Sequence, residues 1–196
     1  MIKRGIQINF IQQYNSIKNY SDNLFIADYT QQTSADQIKR SVEFFSPNDP
    51  SDINFFSVIN TPKISIDGIE FNNSSFTCGN GNSRTQCEAV VFPSTSNNDS
   101  WILFCELKYS SKPLKNSYNL KKAIKQLYKT RYYYIQRNII SLTNNSYLIA
   151  SLPLQSEPFP NFSISQSALT KLKRRKNIIL RLKNEIEIID NKILSV

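Results

Sequence analysis

The chain contains no histidine among its 196 residues. That excludes His-based general acid/base catalysis, Ser-His-Asp triads and His-ligated zinc. Glycine is scarce, with only four, and "CGNGNS" at 78–83 is not followed by the Lys-Ser/Thr of a phosphate-cradling loop, so it reads as a turn. Three cysteines are too few, and odd in number, for a disulfide framework. No stretch approaches the roughly 20 consecutive apolar residues that span a bilayer. The N-terminal "MIKRGIQINFIQQYNSIK" lacks the apolar core and cleavage site of a signal peptide, so the expected location is cytoplasmic, with no membrane partner.

What is present is ordinary globular composition, 40% apolar and 20% charged, with an uneven charge distribution. Residues 1–106 hold seven basic and eleven acidic side chains. Residues 107–156 hold nine basic and no acidic ones, and residues 157–196 hold eight basic and four acidic. The middle segment alone equals the net charge of +9. A basic block of this kind is a candidate footprint for a phosphate backbone; a solvated surface that keeps the protein soluble would look the same.

Residues 34–46, "SADQIKRSVEFFS", have Ala35, Ile38, Val42 and Phe45 at helical spacing behind a good cap, with Pro47 after them, and predict a helix. A weaker helix is expected over 14–28. "INFFSVI" reads as a short strand, and "KISIDGIEF" as two strands around an Asp-Gly turn. "QCEAVVFP" and "WILFCELKYS" are strong strands joined by the polar "STSNNDS". A long helix follows over about 117–137, then a buried strand, "SYLIASLPL". A short basic helix is expected at 165–176. The tail favours small strands over one long helix. The whole reads as one domain, 1–196, with a core at about 34–153 and a basic C-terminal appendage at 154–196.

The chemistry concentrates on "WILFCELKYS". Side chains alternate along a strand, so Phe104, Glu106 and Lys108 share one face and Cys105 and Leu107 the other. Folding the two strands about residue 97 puts opposite one another those residues whose numbers sum to 194, among them Glu88 and Glu106. Directly opposed Cβ atoms stand about 4.5–5.5 Å apart, so two acids there repel. A hard divalent cation, Mg²⁺ or Mn²⁺, offsets that repulsion. Lys108 adds a positive charge where a phosphate could approach. A one-residue slip would separate the acids. Cys87 and Cys105, on the face opposite the acids, read as small buried hydrophobes.

This pattern, Glu88 on one strand and Glu106-Leu107-Lys108 on the next with a basic helix after them, resembles the PD-(D/E)XK nuclease superfamily. The resemblance implies an α/β (α+β) restriction-endonuclease-like core, a central mixed sheet flanked by helices in the order α-β-β-β-α-β. It implies metal-dependent phosphodiester hydrolysis by a DNA nuclease of a defence or restriction type. Glu88, Glu106 and the Leu107 carbonyl would hold the metal, and Lys108 would act at the hydrolytic centre. The first acid of the family is usually Asp, whereas Glu88 stands here. Glu43 is the candidate for an acid on the first helix, and Gln126 for a positioning glutamine on the helix after the triplet. Lys112, Lys115, Lys121, Lys122, Lys125 and Lys129 would contact phosphates without reading sequence. Tyr132, Tyr133 and Tyr134 offer rings for base stacking, although tyrosines at this density more often fill core and rim. Arg131 falls in the apolar stripe of the helix and would snorkel. A homodimer or a larger defence complex is expected by analogy. The alternatives are a catalytically inactive nucleic-acid-binding module on the same fold and an interaction protein of immunity or antitoxin type.

Overall fold

Every residue of the segment Trp101–Leu107 is buried. A strand buried on both faces needs a layer on each side, and the computed structural model, which describes residues 1–71, 76, 82 and 84–196, supplies two different ones. In chain order the elements are α1 (Ile2–Asn9), α2 (Ile11–Asn15), β1 (Lys18–Tyr20), β2 (Leu24–Asp28), β3 (Val42–Phe45), β4 (Phe56–Ile59), β5 (Ile66–Glu70), β6 (Ala89–Pro93) and β7 (Trp101–Leu107). A short 3-10 turn then leads into α3 (Asn116–Gln136), β8 (Asn145–Ser151), α4 (Gln166–Lys176), β9 (Ile178–Leu182), β10 (Glu185–Ile188) and β11 (Leu194–Ser195). The turn expected at 78–83 lies, but for Asn82, outside the described residues.

The fold is α+β with two mixed sheets. The first has the order β1-β5-β6-β7-β8-β9, in which β6 is antiparallel to both β5 and β7 while β8 and β9 run parallel to β7. The second has the order β11-β10-β4-β2-β3. Ile102 and Phe104 point from β7 to a helical layer, meeting Leu120, Ala123 and Leu127 of α3 and Ile2 and Ile6 of α1. Leu103, Cys105 and Leu107 point to the second sheet, meeting Leu24, Ile26, Phe56 and Val58. The four helices among the described residues all pack on one face. The expected mixed sheet flanked by helices is present in part: helices cover one face, and a second sheet covers the other.

Two expected helices are strands. Residues 42–45 pair with β2, Ile26 opposite Phe44 and Ala27 opposite Glu43. The apparent helical stripe fails at Ile38, which is 79% exposed, and Val42 and the two phenylalanines suit a pleated, half-buried surface better. Likewise 14–28 gives only the end of α2, then β1 and β2. The Asp-Gly pair at 67–68 is no turn: β5 runs through it, with Asp67 opposite Phe92 and Gly68 opposite Val91. Glycine is needed there for packing. A Cβ on Gly68 would lie 2.4 Å from a ring atom of Phe44. Gly68→Ala is expected to lower stability by about 1–3 kcal/mol in urea unfolding, the usual cost of overpacking.

The segment 154–196 is not an appendage to this core. It adds α4 to the helical layer, β9 to the first sheet, and β10 and β11 to the second, β10 pairing parallel with β4. The tail forms the small strands its sequence favours. Ser165 caps α4, accepting from the Ala168 N–H, and Asn177 ends it in the left-handed conformation.

Candidate active site

The ladder between β6 and β7 has the expected register, Ala89 opposite Cys105 and Val90 opposite Phe104. It breaks at Glu88. The Glu88 N–H donates to the carbonyl of Cys105 at 3.1 Å, one residue short of the position opposite Glu106, and the Glu88 carbonyl accepts from Phe71 at 2.8 Å. This irregularity turns Cys87 toward the helical core, not toward the second sheet as strict alternation required. Cys87 and Cys105 are both buried.

The Glu88 carboxylate takes over where the main-chain ladder stops. Its Oε2 accepts the Leu107 N–H at 2.9 Å, and its Oε1 lies 3.9 Å from the Lys108 ammonium. The same ammonium is hydrogen-bonded to Glu106 Oε1. Glu106 has no exposed side-chain surface, and its Oε2 has no hydrogen-bond partner among the described residues. Glu88, Glu106 and Lys108 thus form one cluster at the end of β7, open to solvent through small exposed parts of Glu88 and Lys108.

Burial dominates the electrostatics. It raises the Glu88 carboxyl well above the usual range, and repulsion from Glu106 adds to this while Lys108 opposes it. Burial likewise raises Glu106, to about 7, against the opposing charge of Lys108. For Lys108 burial pulls down, but Glu106 and Glu88 outweigh it and the ammonium is held above its ordinary value. Both acids are thus raised chiefly by burial, beside a lysine that stays protonated.

The sequence reading missed one acid. Asp28, at the end of β2, raises both glutamates by its charge. The Tyr109 hydroxyl bonds its backbone N–H at 3.2 Å and donates to the Asn54 carbonyl at 2.6 Å, tying the second sheet to the residue after Lys108. Two open clefts of about 420 and 410 Å³ meet at Tyr109, one lined by Asp28 and Asp52, the other by Lys112 and Lys115.

Glu43 is not in the cluster. It stands on β3 with its carboxylate on Arg40, 2.6 Å away. Gln126 also acts elsewhere than expected. Its Nε2 donates to the Gln86 carbonyl at 3.0 Å, and Thr130, one turn on, accepts the Cys87 N–H at 2.7 Å. Together they pin residues 86–87 to α3 and so place Glu88.

Lys112, Lys115, Lys121, Lys122, Lys125 and Lys129 are all exposed. Lys122 is close enough for its charge to lower the Glu106 carboxyl. Of the three tyrosines, Tyr134 is core, bonded to Gln13 at 2.8 Å; Tyr133 packs on Phe76; Tyr132 is 51% exposed. Arg131 does not snorkel. It is buried and donates to the Lys176 carbonyl at 2.9 Å.

Among the described residues no three His, Cys, Asp or Glu gather closely enough to hold a metal by themselves. The fit of a divalent ion rests on two carboxylates, the orphaned Glu106 Oε2 and hard oxygen donors. The Leu107 N–H points toward Glu88, and in an extended strand the carbonyl of a residue leaves on the same side as its N–H. Comparison with protein-family models, with curated proteins and with solved structures finds no match. Among the described residues no helix is long and apolar enough to cross a membrane.

Proposed function

We propose that this protein is a metal-dependent nuclease of the PD-(D/E)XK type, with Glu88, Glu106 and Lys108 as its catalytic residues. The observation that carries the reading is the meeting of these three side chains at the end of β7 with both acids raised and one carboxylate oxygen unpartnered. The topology supports it. A helix, α1, precedes three antiparallel strands, β5, β6 and β7; α3 then crosses to the parallel β8. With α2, β1 and the second sheet's β2–β4 set aside as insertions between α1 and β5, this order is compatible with the helix, three strands, helix, strand core that the resemblance implies.

Glu88, Glu106 and the Leu107 carbonyl would hold Mg²⁺ or Mn²⁺, which would supply a Lewis acid to neutralise phosphate charge and acidify water. The protein's own residues do the rest. Lys108 stays protonated at neutral pH, which suits it to stabilise charge growing on the phosphate oxygens. Glu106 holds the ammonium in place from below. Gln126 and Thr130 fix the strand that carries Glu88. The exposed lysines beyond the site bring a polyanion to it.

The test is incubation of the purified protein with linear, circular and single-stranded DNA and with RNA, in Mg²⁺, Mn²⁺ or EDTA. Cleavage of at least one DNA substrate in either metal, abolished by EDTA, is expected. No cleavage of any substrate would overturn the reading. The two-carboxylate count favours one second reading, an inactive member of the same fold that binds DNA, and such a protein would bind equally well in EDTA and in Mg²⁺.

A further inference from the structure

A second cationic feature lies apart from the acid–lysine cluster. Between the exposed face of α3 and the end of α4, where the chain enters β9, is a cleft of about 560 Å³. Lys125, Lys129 and Lys176 stand on its rim, Tyr128 and Tyr132 supply rings, and Arg131 lines it from below. Among the described residues no acidic one lines it. Lys125, Tyr128, Lys129 and Tyr132 stand at positions i, i+3, i+4 and i+7, so they form one face of α3.

Arg131 sets this cleft apart from a solvated basic surface. It is 5% exposed. One nitrogen of its guanidinium serves the Lys176 carbonyl at the end of α4, and its Nε has no partner among the described residues. It forms no salt bridge among those residues, and burial lowers its pKa. A buried cation without an acid is costly, and an anion seated in the cleft would offset that cost.

We propose that the α3–α4 cleft is a second phosphate-binding site, taking backbone phosphates of the same nucleic acid that enters the Glu88–Glu106–Lys108 cluster. This rests on the nuclease reading. The geometry favours a strand over a free small anion. Lys122, whose charge reaches Glu106, and Lys129 are separated by seven residues of one helix, about 10 Å along its axis. The exposed lysines of α3 therefore run as a continuous ridge from the candidate active site to the cleft. On the other side of the cleft the last turn of α4 is wholly basic, Lys173, Arg174, Arg175 and Lys176. Tyr132, half exposed at the rim, is placed to stack on a base of a frayed or single-stranded end.

The test uses the full chain and a triple variant, Lys125→Gln, Lys129→Gln and Lys176→Gln. All three residues are exposed, so folding should be unchanged, as a thermal melt would verify. Fluorescence anisotropy in EDTA would measure binding to labelled duplexes of about 10 and about 30 base pairs across a salt series. The wild type is expected to bind the longer duplex more tightly. The triple variant is expected to lose at least tenfold in affinity for the longer duplex, its salt slope falling by about 2–3. Equal affinities and slopes for the two proteins on the longer duplex, with the wild type still binding and cleaving, would overturn the cleft alone. Absence of salt-dependent binding by the wild type would overturn the cleft and the nuclease reading together. A stabilisation by AMP or inorganic phosphate that the triple variant loses, with duplex binding unchanged, would assign the cleft to a free anion and overturn the inference.

Discussion

Lys108→Ala should abolish metal-dependent cleavage, a loss of about 10²–10³-fold or more in single-turnover rate, and should also weaken the fold. The ammonium is the partner of a fully buried carboxylate and the near neighbour of a second. Losing a donor aimed at developing charge typically costs that much in rate. Removing one partner of a buried pair leaves the other charge uncompensated, at about 3 kcal/mol. The two effects separate experimentally. Urea unfolding at neutral pH without metal should show the stability loss. Saturating Mg²⁺ should recover stability by supplying positive charge to Glu88 and Glu106, yet should not recover cleavage. Cleavage that survives the substitution would mean that the chemistry lies elsewhere.

The second large effect is a pH dependence of the metal-free protein. Glu106 has its folded-state carboxyl at about 7, against 4.5 for an unperturbed glutamate, chiefly because it is buried. A raised acid is most stable protonated. Its contribution is therefore fully present below the unfolded value near 4.5 and is lost as pH rises through about 7. By pH 8 the loss is on the order of 3 kcal/mol. Glu88 shifts in the same direction and steepens the trend. Glu106→Gln removes the titration and keeps the shape. The variant is expected to melt about 10 °C above the wild type at pH 8 without metal, and close to it at pH 5. Mg²⁺ should raise the wild-type melting temperature increasingly with pH and leave the variant nearly unmoved. Parallel pH profiles for the two proteins would show that Glu106 is not held as the structure has it.

Much of the site was legible because it lies on elements whose sequence pattern is unambiguous. Trp101–Leu107 is a run of seven buried residues, and the symmetric polar loop before it left one natural register, which β6 and β7 adopt. The long amphipathic α3 was equally plain. What was hidden depended on distant pairing. The second sheet is made of strands of two to five residues separated by loops, and β10 joins β4 from more than a hundred residues away. The β-branched and aromatic residues of "VEFF" suit a strand, but the helical spacing of Ala35, Ile38, Val42 and Phe45 around them masked it. Asp28 was missed for the same reason, since its segment read as helix. The break at Glu88 was not foreseeable from alternation either, because it answers a tertiary demand: Thr130 and Gln126 draw residues 86–87 to α3.

The most direct test of the account is single-turnover cleavage of a DNA substrate across a Mg²⁺ titration, comparing the wild type with Glu88→Gln and Glu106→Gln. The wild type should show a saturable dependence on Mg²⁺. Each variant should lose at least about 10²-fold at saturation or need far more metal to reach any rate, because each removes one of the two carboxylates that would hold the ion. Wild-type rates and wild-type Mg²⁺ dependence in both variants would contradict it, since the acids at the end of β7 would then have no part in the chemistry.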